Sequence, residues 1–103
     1  MMGTNVIFGT YLAEAKKCYR SKCGRYYFNF KFVDQDGHVD LYCTDHPPLN
    51  GRDSDPRKTH LFPSGKICFV AGREPRSPGR AEEMAAQWAE YFLEYRRTGR
   101  TQD

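Results

Sequence analysis

The chemistry open to this chain rests on four cysteines and three histidines. Cys68 closes the segment His60-Leu61-Phe62-Pro63-Ser64-Gly65-Lys66-Ile67-Cys68. A thiolate is a strong nucleophile, and a nearby cation lowers the pKa of the thiol. Lys66 and His60 are the candidate neighbours. The competing reading is structural, because Cys68 stands in the apolar triplet Ile67-Cys68-Phe69, where a cysteine serves as a small core hydrophobe. A Cys–His hydrolase pair would join Cys68 to His38, His46 or His60. No papain-like or caspase-like signature surrounds the cysteine.

Two other groupings compete with Cys68. Cys18 and Cys23 are separated by four residues, and Cys43 and His46 by two. Together they supply the four ligands of a closed tetrahedral zinc site, although Cys-x4-Cys is looser than the usual knuckle spacing. Cys43 also shares a strand face with Val39 and Leu41, which makes it a candidate core residue instead. Tyr26, Phe28 and Phe30, with Lys22, Arg25 and Lys31 near them, could form a stacking face for nucleic acid. The alternative is that these rings pack beneath the helix that carries Trp88.

The elements that must position these residues follow from periodicity. Residues 5–13 are rich in strand formers, with Val6, Phe8, Thr10 and Leu12 on one face. Residues 16–24 read as a basic turn region, and residues 13–17 admit a short helical piece. Residues 25–33 give the clearest strand, with Tyr26, Phe28, Phe30 and Phe32 alternating with Tyr27, Asn29, Lys31 and Val33. Asp36-Gly37 is a hairpin signal, and residues 38–43 form the return strand. Residues 45–59 read as a long loop punctuated by Pro47-Pro48 and Asn50-Gly51. Residues 66–70 are strand-like or loop, and residues 72–79 are loop. Ser77-Pro78 then offers an N-cap with proline behind it. Glu82 and Glu83 are expected in the first helical turn. Ala81, Met84, Ala85, Trp88, Tyr91, Phe92 and Tyr95 keep helical spacing, Arg96 and Arg97 fall in the last turn, and Gly99 stops the helix. The expected fold is α+β: an antiparallel strand meander with a C-terminal helix packed on one face, residues 1–103 forming one domain.

Composition agrees with a small folded domain. Apolar residues make up 39% and aromatics 15% of 103 residues, which suits a modest packed core and excludes a disordered chain. The 16 basic and 13 acidic residues give a net charge of +3 and are interspersed, so charge marks no nucleic-acid face. No apolar run reaches the roughly 18 residues of a membrane span, and residues 1–10 lack the pattern of a signal peptide. The cysteines are therefore expected as reduced thiols in a cytoplasmic setting. The sequence calls for no cofactor.

The segment around Cys68 also carries a resemblance. Gly65-Lys66-Ile67-Cys68-Phe69 is similar to the Gly-x-Ile-Cys-Leu segment of ubiquitin-conjugating enzymes. His60 lies near the place of the histidine in that family's His-Pro-Asn tripeptide. The set His60, Phe62, Pro63, Gly65, Ile67 and Cys68 resembles more closely the bacterial relatives of that family, found in anti-phage and ubiquitin-like conjugation operons. Those relatives also end in a helix with Trp and Tyr closing on Thr-Gly, matched here by Trp88, Tyr91, Tyr95 and Thr98-Gly99. The resemblance covers about residues 25–100.

It implies a reduced ubiquitin-conjugating-like fold. It also implies that Cys68 carries a ubiquitin-like protein as a thioester, received from an activating enzyme and passed to an amine. His60 would act at the site, and Gly65 and Lys66 would position the substrate. The chain departs from the eukaryotic pattern: the oxyanion-stabilising Asn would fall near Leu61 or Phe62, and no Asn is there, and neither the N-terminal helix on which those enzymes dock the activating enzyme nor their C-terminal helices are expected. A non-catalytic adaptor of the same fold and a small zinc-stabilised interaction domain are the alternative readings.

Overall fold

The computed structural model describes residues 14–69 and 72–101. Its first strand, β1, is Glu14–Arg20, followed by β2, Tyr27–Asp34, and β3, Val39–Asp45. They form an antiparallel meander in the order β1-β2-β3. The register sets Tyr19 opposite Phe28 and Lys17 opposite Phe30 on one side, and Phe32 opposite Leu41 on the other. The β2–β3 hairpin turns at Asp36 and Gly37, both at positive φ (51° and 118°). A two-residue hairpin loop needs that backbone, and Asp-Gly supplies it.

Residues 21–24 do turn, with the Gly24 amide donating to Ser21 O at 2.9 Å, but β1 takes the place of the helical piece and of the first part of the expected basic turn. Its polar residues fall on both sides, so the sequence hides it. Among the inward ones, Lys17 Nζ donates to Glu82 at 2.6 Å and the Tyr19 hydroxyl donates to Glu90. The strand expected over residues 5–13 lies outside the described residues.

β2 and β3 bury the inner face of the sheet. Phe28, Phe30, Phe32, Val39, Leu41 and Cys43 are all buried. The alternation of β2 explains this, since every second side chain meets the same face. Over them lies a long helix, Pro78–Thr98. Before it, the segment expected as a long loop contains a single helical turn, Pro56–Thr59. These are α1 (Pro56–Thr59) and α2 (Pro78–Thr98) in chain order.

Ser77 caps α2 by accepting from the Arg80 amide at 3.2 Å, Pro78 follows it, and Gly99 closes the helix in the left-handed region, as its sequence requires. Glu82 and Glu83 sit in the second turn, not the first, which holds no acidic residue. They act instead through partners: Glu82 with Lys17, and Glu83 with Arg80.

Trp88 is the centre of the core. Its ring meets Phe28 and Phe30 edge-on, each at 6.0 Å, while those two rings stack on each other at 6.1 Å. Edge-to-face and offset contacts are the preferred aromatic geometries. Phe28 and Phe30 are thus covered by α2 and present no stacking platform. Tyr26, half-buried, carries the Arg96 guanidinium over its ring. No described helix is long and apolar enough to cross a membrane.

Candidate functional site

The long loop reaches the site on supports supplied by α2. Trp88 Nε1 donates to the Thr59 carbonyl at 2.9 Å, Tyr91 to the Lys58 carbonyl, and Tyr95 to the Asp53 carbonyl at 2.7 Å. The Lys58 and Thr59 carbonyls end α1 and lack helical partners of their own. Three ring-bearing residues on one helix face therefore hold the loop by its backbone. Asp55 caps α1 through the Arg57 amide, and the adjacent Arg57 guanidinium holds its carboxyl down at about 2.

His60 follows α1 in the left-handed region (φ 57°, ψ 31°), where histidine is among the more tolerated non-glycine residues. A small hairpin comes next. Phe62 and Lys66 close it (2.9 Å), and Gly65 donates to Phe62 at 2.8 Å. Pro63 follows Phe62 at the second turn position, and Gly65 takes φ 92°, the arrangement of a type I turn followed by a left-handed residue. This hairpin extends the sheet. Cys43 donates to Gly65 O and Ile67 to Leu41 O, both at 2.8 Å. The expected short strand is thus realised as isolated bridges, Tyr42 with Lys66 and Leu61 with Ile67.

Gly65 is fixed by this docking. A Cβ there would stand 3.0 Å from the Cys43 carbonyl oxygen, and an L-residue at that φ is strained. Gly65→Ala is expected to destabilise the fold by about 1–3 kcal/mol, measurable as a lower denaturant midpoint at unchanged m-value. Its place in the motif is explained by close backbone packing.

Cys68 emerges from this hairpin half-buried, its amide donating to the His60 carbonyl at 2.9 Å. Cys68 and His60 line the same open groove of about 1150 Å³, walled by Trp88 and Tyr91 of α2 and by Tyr19 of β1. The His60 ring packs against Tyr91 at 5.3 Å. Sequence reasoning brought Cys68 and His60 together, and the structure places both on one groove, linked through the backbone. Lys66 lies on the other side of Cys68, where its Nζ is 3.5 Å from Asp40 Oδ1.

The other cysteines separate. Cys43 is buried and its thiol donates to Asp45 O; burial pushes it up to about 12. Cys18 and Cys23 are exposed. The Cys23 thiol is lowered, first by its hydrogen bond with Ser21. His46 packs at a tilt against Phe92, 4.8 Å between ring centres, and its Nδ1 meets the Pro47 carbonyl at 2.7 Å. Among the described residues no three His, Cys, Asp or Glu side chains gather to hold a metal. Cys18, Cys23, Cys43 and His46, the candidate zinc ligands, are not brought together: Cys43 faces the core while Cys18 lies exposed on β1.

No family model, curated protein or solved structure matches the chain. The functional reading therefore stands on the groove itself. Its floor is supplied by one helix face and its rim by charge, with Lys22, Arg57 and Arg73 set against Glu90 and Glu94. Sequence reasoning missed Tyr19 and Glu90 as parts of this site. The signal that could have found them is weak: a tyrosine within a basic segment, and a glutamate on the polar side of α2.

Proposed function

We propose that this chain is a ubiquitin-conjugating-like carrier of reduced fold, in which Cys68 takes the C-terminus of a ubiquitin-like protein as a thioester. The observation that carries this reading is the half-buried Cys68 at the end of a docked hairpin, on a groove open to solvent. A carrier thiol must be reachable by two macromolecules in turn, one delivering the acyl group and one removing it. A cysteine sealed under α2 could do neither. The thiolate suits both steps, because it attacks readily and later leaves readily. An activating enzyme would supply the acyl group, and an amine would accept it. His60 would contribute through its carbonyl, which fixes the Cys68 amide, and Gly65 through the backbone approach that sets the hairpin on β3.

A non-catalytic adaptor of the same fold is the second reading. It is favoured by the position where the eukaryotic enzymes hold their oxyanion Asn, filled here by Leu61 and the exposed side chain of Phe62. Site-resolved alkylation separates the two. In native protein, Cys68 is expected to react with iodoacetamide at least tenfold faster than Cys43, whose thiolate is suppressed by burial. Peptide mapping is needed because Cys18 and Cys23 also label. A Cys68 that stays unmodified until the protein unfolds would sink the carrier reading.

A further inference from the structure

Cys68 stands on the wall between two spaces. On one side is the groove under α2. On the other is a hollow of about 160 Å³ that it shares with His38, Asp40, Lys66 and Glu74. The bridge Tyr42–Lys66 and the bond from the Ile67 amide to Leu41 O set an antiparallel register between the hairpin and β3. That ladder stops at Ile67, because the next donor on β3, Val39, gives its amide to Pro75 O at 2.7 Å; Cys68 lies one residue past the last bridge and shares the hollow with Asp40 and His38.

Asp40 is a buried carboxylate with a full set of partners. Its Oδ1 meets His38 Nε2 at 3.1 Å and Lys66 Nζ at 3.5 Å, and its Oδ2 accepts from Gln35 Nε2 at 3.1 Å. The carboxylate on Nε2 selects the tautomer with its proton there, leaving Nδ1 with a lone pair. A histidine held at one nitrogen by a carboxylate, with the other free to take a proton, is the arrangement that activates a nucleophile. Among the described residues no carboxylate supports His60 in this way, and its ring packs on Tyr91.

We propose that His38, oriented by Asp40, is the base for the Cys68 thiol. The Sγ–H bond breaks and a proton passes to Nδ1, leaving a thiolate and an imidazolium that Asp40 holds. When the thiolate attacks the incoming thioester, the departing thiolate of the donor takes that proton back. Other charges face Cys68 from each packed element. Lys66 and His60 come from its own hairpin, and Arg57 from α1. Arg73 and Glu74 come from the following loop, Tyr19 and Lys22 from β1 and its turn, and Glu90, Glu94 and Tyr91 from α2. Lys22 is exposed, and Glu90 accepts from both its amide and the Tyr19 hydroxyl. Lys66 adds positive charge on the same side as His38 and acts in the same direction.

The inference rests on the reading of Cys68 as a nucleophile, and alkylation tests it without any modifier. The rate of Cys68 modification by iodoacetamide is followed across pH 5–10 in the full chain. His38→Gln, at a half-exposed position that spares the core, is expected to slow labelling of Cys68 at pH 7 about tenfold and to move the rate profile toward higher pH. Asp40→Asn is expected to shift it in the same direction by less. A profile unchanged in His38→Gln overturns the proposal, as does a shift found in His60→Gln and not in His38→Gln. A shifted profile in a protein that never forms a thioester adduct supports the base and sinks the carrier. An unshifted profile in a protein that does form the adduct has the opposite meaning.

Discussion

Replacing Cys68 with serine is expected to turn a reductant-labile adduct into a reductant-resistant one, and replacing it with alanine is expected to abolish the adduct. The measurement uses purified chain incubated with ATP and an extract of the cells it comes from, resolved without and with reductant. Wild type should gain a shifted band that both thiol reductant and neutral hydroxylamine remove. Hydroxylamine matters because a disulfide-linked contaminant would resist it, while an isopeptide would resist both reagents. Cys68→Ser keeps the geometry of the hairpin and exchanges sulfur for oxygen. The ester it forms is a poorer acyl donor, so the adduct should persist and transfer should fall by several orders of magnitude. The physical reason is the leaving group, since a thiolate departs far more readily than an alkoxide. Cys18→Ser and Cys23→Ser, at exposed positions away from the groove, should leave the adduct unchanged. A band that survives in Cys68→Ala would overturn the assignment of the carrier residue.

Why this cysteine could be singled out, and its setting only partly, follows from what each residue shows in sequence. Phe28, Phe30 and Phe32 alternate, and alternation is a direct image of the pleat. Asp36-Gly37 and Gly99 occupy backbone regions that few residues enter, so their types report geometry. β1 carries no such image. Its inner positions Lys17 and Tyr19 are satisfied by Glu82 and Glu90, sixty-five and seventy-one residues away, and no local pattern encodes that distance. α1 was encoded and passed over. Asp55-Pro56 is the same cap-then-proline signal as Ser77-Pro78, but four residues are too few for the periodicity that drew attention to α2. At the site, the motif spacing named His60 and Cys68, and both line one groove. His38 was one of three histidines open to Cys68 in the sequence; that it shares a hollow with Cys68 was not legible, because that depends on how the hairpin docks beside β3.

The last expected result concerns the helix that holds this arrangement. Trp88→Ala is expected to cost about 3–5 kcal/mol, the usual range for removing a large buried aromatic. Trp88 fills the space between Phe28, Phe30 and Phe92, and a core of this size cannot close over the loss. Against a total stability of about 5–15 kcal/mol, that leaves a domain near its unfolding threshold. Trp88→Phe separates packing from hydrogen bonding. It keeps an aromatic ring in the core and removes the Nε1 donor, which leaves the Thr59 carbonyl without it at a cost of about 1–3 kcal/mol. For a domain of this length each kcal/mol lowers the melting temperature by roughly 4–8 °C. The two variants should also differ at the site. Thr59 immediately precedes His60, whose carbonyl holds the Cys68 amide, so Trp88→Phe should loosen the His60 segment within a folded domain. Hydrogen exchange would then show faster exchange at the Cys68 amide with protection of β2 retained. If that amide stays as protected as in wild type while the melting temperature falls, α2 stabilises the sheet without positioning the cysteine.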